Sequence, residues 1–346
     1  MRLKKPILPP AHKVNLIQRF EIITFLRGYS IFTIVVFHLL QALNLAQPWS
    51  SLIQFGGTGV HLFFLLSGFG LFYSYLNRKP KPLAFYRHKF NGIYLPYIIV
   101  VFISALIAIF WPVFEGSWYA LGGHIFLYKM FDEQIIGSYG YQLWFMSTLF
   151  QFYLVFYILT ALEKYLSKAW FLAISVLISL IWAAIVWWLG KDELRIWNSF
   201  FLQYIWEFVL GMVLAGWLKE GKLKHNLRAI HFLILGVVFC GLYGFMGLKG
   251  GAAGQLFNDY FALLGYSSIA IFLYKVLPTF LVKGMVWVGG FSFALYLWHM
   301  LILEIVKYTQ GNEILLYHLT IVLIISVIVS YFYNKWFNLF IQKYNI

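Results

Sequence analysis

Thiols and acidic side chains are scarce in this chain. A single cysteine, Cys240, stands among 346 residues, so neither an intrachain disulfide framework nor a thiolate metal site is available. It lies in an apolar run and is expected to serve as a small core hydrophobe. Acidic residues number 12 against 26 basic ones, and they are dispersed along the chain with no HExxH spacing, so no metal-ligand set is expected. Internal repeats, low-complexity tracts and extended linkers are absent as well. The first apolar segment has no small-residue cleavage site and is longer than a signal-peptide core, so it is expected to stay as an uncleaved anchor.

Apolar side chains fill the space that charge leaves. The chain is 62% hydrophobic and 21% aromatic, with only 11% charged residues and a mean hydropathy of +0.78, which is the composition of a polytopic membrane protein. Stretches of about 20 apolar residues broken by polar or Gly/Pro punctuation predict an all-α bundle of about ten transmembrane helices. The expected spans are 22–44, 58–76, 93–112, 141–162, 169–189, 198–218, 229–248, 256–281, 285–306 and 314–334, with the weakest boundary at Val282 to Gly284. Residues 1–346 then form one domain with a basic tail at 1–20. No soluble domain is expected beyond the last span.

Basic residues alternate between the two sides of this map. One side collects Arg2, Lys4, Lys5, Lys13 and Arg19, then Arg78, Lys79, Lys81, Arg87 and Lys89, and continues through Lys164, Lys168, Lys219, Lys222, Lys224, Arg228, Lys275, Lys283, Lys335 and Lys343. The other side has only Lys129, Lys191, Arg195, Lys249 and Lys307. The positive-inside rule therefore predicts cytoplasmic termini in an inner or plasma membrane. Topology and anionic lipid account for the net charge of +14, and no nucleic-acid partner is expected. The longest polar connection, about 113–140, faces outward and holds Glu115, His124, Asp132 and Glu133.

Ionisable residues inside apolar spans are costly and are therefore the functional candidates. Arg27 and His38 lie in the first span, eleven residues apart. At about 100° per residue eleven steps close three turns, so the two share one helix face roughly 16 Å apart. The orientation puts Arg27 near the inner side and His38 in the outer half. His61, Asp259 and Glu304 fall at a depth similar to His38 on three other spans, and Glu207 and His299 lie mid-span. Plainer readings exist: Arg27 snorkels to headgroups, and His61, Asp259 and Glu304 sit in the outer interface. Glu207 and His299 need a polar partner or cavity in either case.

Several strings together resemble the acyltransferase-3 family of integral membrane acyltransferases, of the bacterial O-acetyltransferase type. LRGYSIFTIVVFH (26–38) resembles its arginine-x10-histidine signature, and FGGTGVHLFFLLSGFGLFYSY (55–75) its second-helix motif. FYRHKFNGIYLPY (85–97) is similar to its basic stretch before the third helix, and FSFALYLWHM (291–300) to its late tyrosine-leucine-tryptophan-histidine motif. LWFMSTLFQFY (143–153) and WEFVLGMVLAG (206–216) are looser matches. Three positions depart from the pattern: His61 replaces a common Asp, Leu149 a common Glu, and Asn91 or Gly92 a common Arg.

The resemblance implies transfer of an acyl group, most often acetyl, from cytoplasmic acyl-CoA to a hydroxyl of a glycan or related envelope molecule. Acyl-CoA is then a donor substrate and no permanently bound cofactor is expected. A hydroxyl attacking a thioester must lose its proton, which suits His38 as general base; Arg27 is expected on the donor, because guanidinium donates in a planar fork. Arg78, Arg87 and Lys89, with Lys79, Lys81 and His88 beside them, are expected to hold CoA phosphates, and Ser67 of the second-helix motif to line the donor site. Expected acceptor-side residues are His61, Glu207, Asp259, His299, Glu304, Trp144 and Tyr296. A separate partner chain would complete any transfer that needs a soluble domain. The alternatives are a transporter of a small molecule or lipid-linked sugar, because intramembrane charges also mark translocation paths, and a scaffold or sensor without chemistry.

Overall fold

The computed structural model describes residues 10–46, 49–223, 227–311 and 314–344, and all regular structure among them is helical. Inside a bilayer an apolar segment can satisfy its backbone groups only within a helix or a closed barrel. The main helices are α1 (Pro10–Gln41), α2 (Gly59–Arg78), α3 (Leu95–Phe110), α4 (Trp144–Tyr165), α5 (Lys168–Trp188), α6 (Ile205–Lys219), α7 (Ala229–Lys249), α8 (Asp259–Val276), α9 (Thr279–Gly289), α10 (Ser292–Thr309) and α11 (Leu316–Tyr344). Among the described residues seven helices are long and apolar enough to cross a membrane, or eight if the bent α9–α10 pair is one span.

Two of the ten expected spans form shorter helices. Segment 198–218 begins in a turn and becomes helical only at Ile205, leaving 15 residues in α6. Segment 256–281 yields the 18 residues of α8, with Asp259 in the first turn and Lys275 in the last. The next boundary falls at Leu277–Pro278 and not at Val282–Gly284, because Pro278 lacks an N–H and disfavours helix at the residue before it. A second break, after Gly289, turns α9 by 78° against α10 and so cuts the expected span 285–306.

Close helix crossings place the walls of the interior. A Cβ on Gly68 of α2 would overlap the carbonyl oxygen of Phe208, and one on Gly211 of α6 would overlap that of Leu65. The two backbones therefore touch without an intervening side chain, the small-residue packing that lipid-embedded helices favour. In contrast α7 leaves most of its residues exposed, Cys240 among them. This corrects the expectation of a buried thiol: in lipid an apolar side chain gains little by turning inward.

Two connections also differ from the sequence reading. Residues 82–94, expected as a loop leading to span 93–112, are helical from Pro82 to Lys89 and pass through one π-turn, Phe90–Tyr94, into α3. Segment 113–140, read as a polar connection, is folded against the bundle. Its helix Trp118–Ile125 folds back on the start of α3, where Tyr94 donates to the Ile125 carbonyl at 2.6 Å and Tyr97 lies 2.6 Å from His124 Nδ1. His124 Nε2 reaches Ser138 Oγ at 2.9 Å, and Lys129 is buried beside it. Burial pushes the Lys129 ammonium down to about 7.

Candidate active site

A cavity of about 450 Å³ runs between α1, α2, the 82–94 stretch, α4 and the start of α10. Its α2 wall extends from Val60 to Arg78, eighteen residues or roughly 27 Å of helix axis. Arg27 and His38 both line it, so the shared helix face read from their spacing opens into one space.

The Arg78 end is cationic. Arg27, Arg78, His88 and Lys89 all contribute to the lining, and among the described residues none of them is ion-paired with a carboxylate. Lys89 Nζ lies 5.3 Å from the Tyr153 ring centre and 5.7 Å from that of Phe85, so aromatic faces hold the ammonium without neutralising it. Room for the Arg27 guanidinium depends on Gly70, where a Cβ would stand 3.2 Å from Nη2. Ser67 and Ser74 add hydroxyls to the same wall. Unpaired cations and hydroxyls in a concave space suit a phosphate-bearing ligand.

At the other end His38 Nδ1 lies 3.2 Å from Gln41 Oε1. Gln41 accepts through that oxygen, so Nδ1 carries the proton and Nε2 presents a lone pair, the tautomer a general base requires. The His299 ring centre is 5.4 Å from that of His38. His299 donates from Nδ1 to the Leu295 carbonyl at 3.0 Å, which leaves its buried Nε2 as an acceptor with no partner among the described residues. Trp144 and Tyr296 line this end, and the Tyr296 hydroxyl donates to the Gln142 carbonyl at 2.6 Å.

The remaining expected residues are elsewhere. His61 Nδ1 lies 2.7 Å from Glu207 Oε1 and His61 Nε2 lies 3.6 Å from Asp259 Oδ1, while Gln203 donates to Asp259 Oδ2 at 2.8 Å. This polar centre ties α2, α6 and α8 together and does not line the cavity. Buried carboxylates need a donor or a counter-charge, and His61, where the family commonly has Asp, supplies one between two acids. Glu304 does not line the cavity and pairs with Lys307 at 3.0 Å, one helical turn away. Arg87 lines a separate apolar groove with Leu83, Phe90, Phe126 and Phe131, and Lys89 and Tyr153 form part of both spaces. Sequence reasoning passed over Gln41 and Tyr153. Gln41 stands three residues after His38, a spacing that marks neighbours on a helix.

The family model described as Acyltransferase domain, Acyl_transf_3, matches residues 20–335. No curated protein and no solved structure matches the chain. The matched region begins before Arg27 and ends beyond α10, so it encloses every wall of the cavity. On that coverage, the chain belongs to the acyltransferase-3 family of integral membrane acyltransferases.

Proposed function

We propose that the protein is an O-acyltransferase of the inner or plasma membrane that moves an acyl group, acetyl in the first instance, from acyl-CoA to a hydroxyl of a glycan or related envelope molecule. The observation that carries this reading is one cavity with cations free of carboxylate partners at one end and, at the other, a His38 held through Nδ1 by Gln41. CoA phosphates sit among Arg78, His88 and Lys89, on the side where the positive-inside pattern puts the cytoplasm. The thioester arm then extends past Arg27 to His38. His38 Nε2 takes the acceptor hydroxyl proton as the oxygen attacks the thioester carbonyl; the C–O bond forms, the C–S bond breaks, and the proton passes to the departing thiolate.

Arg27→Lys retains the charge and loses the planar fork. The Michaelis constant for acetyl-CoA is expected to rise roughly 10- to 100-fold, the worth of one charge-assisted hydrogen bond at roughly 1.5–3 kcal/mol. Steady-state kinetics with radiolabelled acetyl-CoA measure it. Unchanged constants in both Arg27→Lys and Arg27→Ala would reduce Arg27 to a membrane anchor. The activity itself is tested by incubating the purified protein with radiolabelled acetyl-CoA and extracted envelope glycan: label in the glycan supports the reading, and donor left intact under all conditions contradicts it.

A further inference from the structure

Arg195 was assigned no role by the sequence, yet the structure holds its guanidinium against the cavity wall at the end opposite Arg78. It opens the short helical turn Arg195–Asn198, between α5 and α6. Glu133 is the carboxylate beside it, and both of its oxygens are occupied by backbone: Arg195 N–H reaches Oε1 at 2.9 Å and Ile196 N–H reaches Oε2 at 2.8 Å. The backbone is thereby fixed, and both carboxylate oxygens are directed at the main chain and not at the guanidinium. Among the described residues neither Glu133, Asp192 nor Glu193 forms an ion pair with the guanidinium.

Neutral groups orient the cation instead. Nη1 donates to Ser199 Oγ at 3.2 Å, and Nη2 donates to the Tyr141 hydroxyl. The guanidinium carbon lies 4.9 Å from the ring centre of Trp144 and 5.1 Å from that of Tyr141. Trp144 lines the cavity that contains His38. Arg195 is half-buried and Tyr141 exposed, so the corner is open to an incoming molecule. Of the other cations assigned to that side, Lys129 is buried and Lys307 is paired with Glu304, while Lys191 and Lys249 are exposed, and none of the four lines the cavity. A fixed guanidinium with no direct carboxylate partner among the described residues has donors left from its five for a planar anion. An aromatic floor beside it suits the apolar face of a sugar ring.

We propose that the acceptor is an anionic saccharide whose carboxylate or phosphate is held by Arg195 while its ring rests on Tyr141 and Trp144. The proposal rests on the acyl-transfer reading of the cavity, because it places this corner at the acceptor's entrance. Arg195 is an acceptor-binding residue that presents a hydroxyl toward His38, and it takes no part in the proton transfer.

Calorimetric titration of the purified protein in nanodiscs tests it with three probes: trigalacturonate, its carboxyl-reduced neutral counterpart and galactose 1-phosphate. Wild type is expected to bind at least one anionic probe about tenfold or more tightly than the neutral one, with affinity falling as salt rises. Arg195→Gln abolishes the preference, Arg195→Lys restores part of it, and His38→Ala leaves binding intact while losing acyl transfer. Trigalacturonate binding alone identifies a carboxylate reader, and galactose 1-phosphate binding alone a phosphate reader. Equal affinity for charged and neutral probes, no binding of any probe, or the same preference in Arg195→Gln overturns the proposal. Absence of label transfer by the wild-type protein, with its anionic preference intact, would instead fault the acyl-transfer reading. Thermal unfolding of Arg195→Gln within about 2 °C of wild type shows that the corner still folds.

Discussion

His38→Ala lowers acyl transfer roughly 100- to 10,000-fold, the usual contribution of a positioned general base, and leaves the protein folded and its acetyl-CoA binding close to wild type. Folding survives because the His38 side chain is only partly buried and, among the described residues, hydrogen-bonds only to Gln41, so truncation strands no fully buried group. Donor binding survives because the cationic lining lies at Arg27, Arg78, His88 and Lys89, and Arg27 is roughly 16 Å of helix away. Gln41→Leu is expected to act more weakly, since it releases the tautomer without removing the base. Turnover of labelled acetyl-CoA against a titrated, well-folded preparation measures both. Activity of His38→Ala within about threefold of wild type would remove His38 from the mechanism, and His299, with its unpartnered Nε2 beside it, would be the next imidazole to test.

Gly211→Val prevents assembly of the bundle. Its Cβ would overlap the Leu65 carbonyl, and the reciprocal contact of Gly68 with the Phe208 carbonyl leaves no slack at the crossing. Backbone on both sides means that no rotamer change relieves the overlap, so the helices must separate. Overpacking of this kind costs about 3 kcal/mol or more, the upper part of its usual range. Separation also pulls Glu207 on α6 from His61 on α2, at present 2.7 Å apart, and leaves buried polar groups without partners. Size-exclusion chromatography after detergent extraction should show aggregate in place of the wild-type peak, for Gly68→Val as well as Gly211→Val. A monodisperse Gly211→Val with full activity would contradict the packing described.

The helical class and the Arg27–His38 face were legible because both follow from local periodicity in a low-charge chain. Contacts between distant segments were not. His61 and Glu207 are 146 residues apart, and nothing in either helix alone specifies the other. The basic stretch shows where local reading stops. Taken as a loop, Arg87 and Lys89 are equivalent phosphate ligands; as helix Pro82–Lys89 they stand two positions, about 200°, apart. Lys89 accordingly enters the cavity and Arg87 lines the groove outside it. Glu304 was grouped with His38 by depth alone, and depth does not say around which side of α10 a residue points: Lys307, one turn on, captures it. Arg195 was counted only as a topology charge, because its place against Trp144 depends on a turn anchored by Glu133, 62 residues earlier.

Sidedness tests the account's central claim, that donor and acceptor meet at His38 from opposite ends of one cavity. The protein is reconstituted into sealed vesicles of known orientation, radiolabelled acetyl-CoA is confined to the side bearing the Arg78 and Lys89 end, and envelope glycan acceptor is supplied on one side at a time. Labelled product is expected when the acceptor is on the opposite side, with none when both are on the donor side. Product formed only when the two share the donor compartment would contradict the cavity's assignment.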